Sequence, residues 1–153
     1  MKAFAGTFTN KMDAKGRVSV PAEFRDVLKN LGSSAIIARP SLHSPSIECA
    51  PLEYLDRDRQ VVQQSAAPLS QAQHRLRLRL FGSARRLAFD PEGRILLPEA
   101  FIARAQLSPK GLVAFAGVDE TFEIWEPDAL EAAQAEAEKR LLEQIERGDG
   151  GLG

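Results

Sequence analysis

The strongest constraint on the fold is an internal repeat. Segments 13–24 and 90–101 share Asp, Gly, Arg, Pro and Phe at a constant spacing of 77 residues, with three mostly apolar residues between Arg and Pro. A repeat of this kind indicates one supersecondary unit that is used twice. The chain is therefore expected to fold around two copies of one motif. We call residues 13–17 the first turn and residues 90–94 the second turn.

The residue types of the first copy predict a turn, a strand and a short helix. Asp13 can accept hydrogen bonds from nearby backbone N–H groups and close a tight turn, for which Gly16 supplies a positive φ. Residues 18–20 alternate apolar and polar, which predicts a strand with one buried face. Pro21 cannot continue a strand but suits the first turn of a helix. The same structural roles are predicted in the second copy for Asp90, Gly93 and Pro98.

Periodicity predicts the rest of the chain. Residues 71–81 are ambiguous, because alternating Leu and Arg fit a strand, whereas good helix formers followed by Gly82 favour a helix. We favour the helix, and residues 64–70 mark a boundary or a helix break. Further strands are predicted at 3–9, 35–38, 47–50, 85–89, 95–97, 112–115 and 122–127. Other helices are predicted after Pro21, after Pro51, over 98–107 and from Asp128, with Leu130, Ala137, Leu141 and Ile145 on one side.

The repeat also predicts the domain organisation. With 153 residues, the chain can form one domain or two small halves that share a core. The first repeat is expected over 1–64 and a connecting helical segment over 65–82. The second repeat, with a C-terminal helix, is expected over 83–147. Residues 148–153 are expected to be a flexible tail.

Charge is unevenly distributed along the chain. The formal net charge of −1 is not typical of a nucleic-acid-binding protein. However, residues 1–17 carry a net charge of +3 and residues 70–94 a net charge of +4, whereas residues 119–147 carry −7. Such a molecule can bind an anion locally while it stays acidic overall.

Several functional classes are disfavoured by the sequence. No apolar run approaches the roughly 18 residues of a membrane span, and the N-terminus lacks a secretory apolar region, so a cytoplasmic protein is expected. The single Cys49 excludes an intrachain disulfide and is expected in the core. His43 and His74 have no ligand-spaced partners, and no phosphate loop or nucleophile elbow is present. We expect no metal, no cofactor and no catalysis.

The two Asp-x-x-Gly-Arg turns, together with Phe4-Ala-Gly6 and Phe122-Glu-Ile-Trp125, resemble the MraZ family of bacterial transcriptional regulators. The resemblance implies an α+β fold of two tandem swapped-hairpin, AbrB-like β-barrel half-units with short helices, related by a pseudo-two-fold axis within one chain. It also implies a homo-oligomeric closed ring. That ring would associate with the nucleoid and bind direct repeats in double-stranded DNA upstream of the division and cell-wall gene cluster.

The candidate DNA-binding residues follow from the turns and this resemblance. For Arg17 we favour contact with DNA, because the family's matching position carries it and Lys11 and Lys15 flank it. For Arg94 we favour a structural pairing with the local Asp, because Glu92 replaces Lys15 and would repel phosphate. The full candidate set is Lys11, Lys15, Gly16, Arg17, Arg86 and Arg94. Arg86 departs from the family, which commonly has an acidic residue there, and is expected to make the surroundings of the second turn basic.

Four questions stay open. For the arginines at 75, 77, 79, 85 and 86 we favour a solvated face or subunit contacts, and the alternative is that some of them belong to the DNA-binding face. Phe122 and Trp125 are expected in the core or an interface rather than stacking on bases, because glutamates surround them. The overall acidity is compatible with a protein-interaction ring that binds no DNA. An antitoxin of the same superfold is a further alternative.

Overall fold

The computed structural model describes residues 3–148, and within them the chain forms eight strands and five α-helices. The helix predicted over 71–81 is confirmed, although its last turn is π-helical, over Leu78–Gly82. The strands are β1 Thr7–Lys11, β2 Arg17–Ser19, β3 Ala35–Pro40, β4 Ile47–Pro51, β5 Arg85–Ala88, β6 Arg94–Leu96, β7 Leu112–Val118 and β8 Thr121–Trp125. The helices are α1 Ala22–Asn30, α2 Tyr54–Ser65, α3 Gln71–Arg77, α4 Glu99–Arg104 and α5 Pro127–Glu146.

The strands form one six-stranded antiparallel sheet and one two-stranded ribbon. The order in the large sheet is β1-β7-β8-β4-β3-β5, and β2 pairs with β6 in the ribbon. β1 pairs with β7, and β5 pairs with β3. The strand before each turn is therefore hydrogen-bonded to a strand from the other copy of the repeat. The chain has a mixed α+β fold built on this antiparallel sheet.

Aromatic side chains from both copies meet in the core. The ring of Phe24 in α1 lies 5.0 Å from that of Phe122 in β8 and 5.5 Å from that of Phe4. Such pairs contribute about 0.5–1.5 kcal/mol each beyond their buried area. Phe122 and Trp125 are buried, as is Cys49, so the core placement predicted for these three side chains is confirmed.

One element prediction needs correction. The first strand begins at Thr7 rather than at residue 3, because Gly6 has φ +94° and interrupts the extended backbone, leaving Phe4 in an isolated bridge. The helix predicted from Asp128 is confirmed as α5, and on its apolar side only Leu130 is buried, while Ile145 is 69% exposed. The reason is that only the start of α5 packs on the sheet. The predicted tail, apart from Gly148, lies outside the described residues.

A buried ion pair joins the connecting helices to the sheet. The guanidinium of Arg39 in β3 donates to both carboxylate oxygens of Asp58 in α2, at 2.7 and 3.2 Å. It also donates to Glu48 at 3.1 Å and to the carbonyl oxygen of Leu80 at 3.0 Å. The bonds to Asp58 and Leu80 hold α2 and the π-helical turn against β3. Within residues 3–148 no helix is long and apolar enough to cross a membrane.

Candidate nucleic-acid interface

The ribbon places both turn arginines on one surface. Val18 and Ile95 are opposite each other and fully buried, so this side of the ribbon faces the core. Since successive side chains of a strand point to opposite faces, Arg17 and Arg94 project from the outer face. They lie at opposite ends of it, because the strands are antiparallel. We call the outer face, which consists of Arg17, Ser19, Arg94 and Leu96, the ribbon face.

The first turn is held by the carboxylate of Asp13. Its Oδ1 accepts hydrogen bonds from the backbone N–H groups of Lys15 and Arg17, each at 2.9 Å. Its Oδ2 accepts from Nε of Arg17 at 2.7 Å. Chiefly because of the backbone bond from Arg17, the pKa of Asp13 is lowered to about 2. Asp13 therefore stays ionised near neutral pH and fixes both the turn and the Arg17 side chain.

The terminal nitrogens of Arg17 are available to a ligand. The side chain is 38% exposed, and among residues 3–148 neither terminal nitrogen donates a hydrogen bond. An arginine held through Nε can still present both terminal nitrogens to an acceptor. Holding the turn and contacting a ligand are thus compatible for one side chain. Lys15 and Lys11 are exposed nearby, in the turn and at the end of β1.

The second turn repeats the same bonds with a different charge. Oδ1 of Asp90 accepts from the N–H groups of Glu92 and Arg94, each at 2.9 Å, and Oδ2 accepts from Nε of Arg94 at 2.8 Å. The pKa of Asp90 is lowered, chiefly by the backbone bond from Arg94. In addition, Oε2 of Glu92 lies 3.6 Å from Nη2 of Arg94. Arg94 therefore faces two carboxylates, whereas Arg17 faces one.

Each turn is covered by a residue from the helix of the other copy. Gly16 and Gly93 have φ of +90° and +78°. A Cβ added at Gly16 would lie 3.2 Å from Ile102 of α4, and one at Gly93 would lie 2.6 Å from Nη1 of Arg25 of α1. Arg25 and Ile102 are equivalent positions in the repeat. Pro21 and Pro98 precede the two helices.

Arg25 is a cation that the sequence reasoning missed. Its Nε donates to the carbonyl oxygen of Val20 at 3.0 Å, which holds the guanidinium beside Gly93 in the second turn. The signal for it was present in the repeat, because aligning the copies places Arg25 against the apolar Ile102. The cation nearest Gly93 comes from α1, not from the turn.

Arg86 lies elsewhere than the sequence indicated. It was expected to make the surroundings of the second turn basic, but it lines a cleft with Lys15 of the first turn. Arg86 lies there because of contacts between segments that are distant in the sequence. β5 forms an edge of the large sheet. The first turn is held at the end of β6, where the N–H of Leu97 donates to the carbonyl oxygen of Gly16 at 2.9 Å. The structure thus places Lys15, Arg17 and Arg86 around one turn and Arg94 at the other.

Residues 3–148 contain no group of three or more His, Cys, Asp or Glu side chains arranged to hold a metal ion.

Comparisons with known proteins agree with the repeat motif. Residues 3–37 and 80–150 match the family model described as "MraZ protein, putative antitoxin-like". A protein of Xanthobacter autotrophicus described as transcriptional regulator MraZ is 38% identical over 143 residues, covering 94% of this chain and 89% of its own. A Rickettsia bellii protein of the same description is 39% identical over 147 residues, covering 92% of this chain and 96% of its own. One from Azorhizobium caulinodans is 34% identical, covering 92% and 88%.

Proposed function

The chain belongs to the MraZ family, and on that premise we propose that it is a transcriptional regulator, not an enzyme, that binds specific double-stranded DNA sequences through the first turn. The observation that best supports this proposal is the geometry of Arg17. Its Nε is bonded to Asp13 while its terminal nitrogens are available on an exposed face. A guanidinium held in this way can form a bidentate pair with a guanine edge in the major groove. Lys15 and Lys11 would contact phosphates.

We infer that the fold is of the tandem swapped-hairpin, AbrB-like type. The half-units would cover residues 1–64 and 83–147, joined by the connecting segment 65–82. The strand pairing supports this proposal, since β1 lies beside β7 and β5 lies beside β3. The exchange of strands between copies would make the two half-units interdependent.

We further propose that several copies form a closed ring that engages direct repeats upstream of the division and cell-wall gene cluster. One turn offers few DNA contacts, so useful affinity would come from several turns that bind at once. The working location would then be the cytoplasm, at the nucleoid. A probe with four repeats is expected to bind far more tightly than a probe with one. Equal affinity for both probes would contradict the multivalent mechanism.

The decisive test compares two arginines on the same ribbon. Fragments bound by the protein are selected from the genome of its host, and their affinities are measured by gel shift. Arg17→Ala is expected to abolish binding, because a bidentate pair is worth about 1–3 kcal/mol per protomer and the loss compounds across several turns. Arg94→Ala is expected to weaken binding much less. Unchanged affinity of a folded Arg17→Ala protein would refute the assignment.

One observation favours a second candidate, a protein-interaction assembly without DNA. The part of α5 that extends from the sheet exposes Leu142 at 52% and Ile145 at 69% in an acidic helix. Apolar side chains exposed in this way suit a protein partner. This candidate gains if the wild-type protein retains no genomic fragment in the selection, and it is excluded as the main function if specific fragments are recovered.

A further inference from the structure

A basic cleft lies between the first turn and the edge of the large sheet. It has a volume of about 450 Å³, within the range of ligand-binding clefts. Three cations line it, Lys15 from the turn and Arg85 and Arg86 from β5, against one carboxylate, Glu99. Both arginines are exposed, and β5 is an edge strand with one side unpaired. The cleft therefore combines positive charge with free backbone groups.

The repeat provides a built-in comparison for this cleft. The equivalent cleft beside the second turn is lined by Phe8 and Thr9 of β1, at the positions that correspond to Arg85 and Arg86. Glu92 corresponds to Lys15. The same backbone arrangement thus carries three cations in one copy and none at these positions in the other. The second-turn cleft has one cation, Arg25 of α1, which lines it together with the carboxylate of Glu23. The excess of positive charge is therefore specific to the first-turn cleft and is not required by the fold.

We propose that this cleft binds a backbone phosphate of the DNA duplex that the first turn contacts, a proposal that rests on the function proposed above. Lys15 is shared between the turn and the cleft, so a strand that passes over the turn reaches Arg85 and Arg86 next. The lining also includes the apolar side chains of Leu87 and Leu97. A cationic rim over an apolar floor suits a sugar–phosphate unit, with the charge on the rim and the deoxyribose C–H face below.

The test measures how DNA binding depends on salt. Each phosphate that a protein neutralises contributes about 0.9 to the slope of log affinity against log salt concentration. Arg85→Thr/Arg86→Thr removes both charges and keeps side chains that favour a strand. We expect the slope to fall by about one and the affinity at 0.1 M salt to fall about tenfold. The loss should be equal for a selected fragment and for an unrelated duplex, because phosphate contacts carry no sequence information.

Two matched variants test whether the effect depends on where the charges are removed or only on the change in net charge. Arg85→Lys/Arg86→Lys keeps the charges and should retain the wild-type slope, since lysine binds phosphate as a point charge. Arg75→Ala/Arg77→Ala removes two exposed charges from α3, away from the cleft, and should also leave the slope unchanged. Circular dichroism and the denaturation midpoint check that each variant is folded. An equal loss in the α3 variant would overturn the proposal, because it would indicate an effect of net charge only.

The same cations could instead bind a free anion such as inorganic phosphate. Calorimetry with inorganic phosphate and no DNA should give no measurable binding at 1 mM. If phosphate binds, and Arg85→Thr/Arg86→Thr abolishes that binding while the DNA slope is unchanged, the cleft serves a free anion and the duplex assignment is overturned.

The outcomes also separate this proposal from the proposed function. If Arg17→Ala loses DNA binding while Arg85→Thr/Arg86→Thr keeps the wild-type salt dependence, the proposed function is supported and the phosphate site in the cleft is overturned. If Arg17→Ala binds normally and the cleft variant shows a smaller salt dependence, the phosphate site is supported and the assignment of the first turn is wrong. If the wild-type protein binds no duplex, both are overturned.

Discussion

The two turns have nearly the same backbone but differ in the charges that surround them. In each, one aspartate accepts two backbone N–H groups at 2.9 Å and the Nε of an arginine four residues later. The cleft at the first turn is lined by three cations, Lys15, Arg85 and Arg86. At the second, Glu92 is in the turn and the nearby cation is Arg25 from α1. The comparison shows that Asp, Gly and Arg build the turn, whereas the variable positions set its electrostatic potential.

The aspartate–arginine pair therefore cannot by itself identify a DNA-binding residue. Both arginines form it, and both are partly exposed. What distinguishes them is the number of nearby carboxylates and cations, which sets the attraction for phosphate. The charged neighbours of each arginine therefore determine how strongly it can attract DNA.

The largest effect is expected from exchanging the charges of the two turns. Lys15→Glu should weaken DNA binding about 100-fold, because one phosphate contact is lost and a repulsion is added. The exchange variant Lys15→Glu/Glu92→Lys has the wild-type net charge and should bind as poorly as Lys15→Glu. Gel shifts at fixed ionic strength measure both. If the exchange variant binds like the wild type, the two turns are interchangeable and the comparison fails.

A smaller effect is expected from adding a methyl group at each turn glycine. Gly16→Ala should lower the free energy of unfolding by about 2–3 kcal/mol, since it combines a positive φ with contacts to Ile102 and a backbone carbonyl. Gly93→Ala should cost about 1–2 kcal/mol, because its new contact is the flexible end of Arg25. Urea denaturation midpoints measure both.

Gly32→Ala is the control for this pair, because Gly32 has φ +73° and nothing within 4 Å of an added Cβ. It reports the backbone penalty alone. If Gly16→Ala lowers the free energy of unfolding no more than Gly32→Ala does, the contacts at the first turn leave room for a methyl group.

The smallest effect is expected from pH. The pKa of Asp13 is about 2 in the folded protein, against an ordinary value of 3.8. Because the folded pKa is lower, the ionised carboxylate stabilises the fold above pH 3.8, and this contribution is lost as pH falls toward 2. The stability difference between wild type and Asp13→Asn should be constant from about pH 5 to 8 and shrink below about pH 4.

The titration midpoint of the Asp13 carboxyl, measured by NMR, checks this directly. The pKa of Asp90 is also lowered, so its carboxyl should titrate below 3.8 as well. A midpoint at or above the ordinary value for either carboxyl would mean that the turn bonds do not persist in solution.

Local features of the fold were predictable from the sequence, and non-local ones were not. The turns, the prolines before α1 and α4, and the strand 95–97 follow from short-range rules on φ and periodicity. The pairing of β1 with β7 depends on contacts more than 100 residues apart. For the same reason, Arg86 was expected near the second turn although it lies by the first. The buried pair of Arg39 and Asp58 carries no local sequence pattern at all.

The hydrogen-bonded pairing of β2 with β6 within a single polypeptide has an evolutionary consequence. In a homodimer, every substitution in one turn is copied into the other, and the assembly is held to an exact dyad that suits inverted half-sites. Tandem duplication removes that coupling, so one turn is free to diverge in charge while its partner keeps the shared architecture. Under the function proposed above, a protomer specialised in this way would have a polarity along the double helix, and we expect its preferred target to lack internal dyad symmetry.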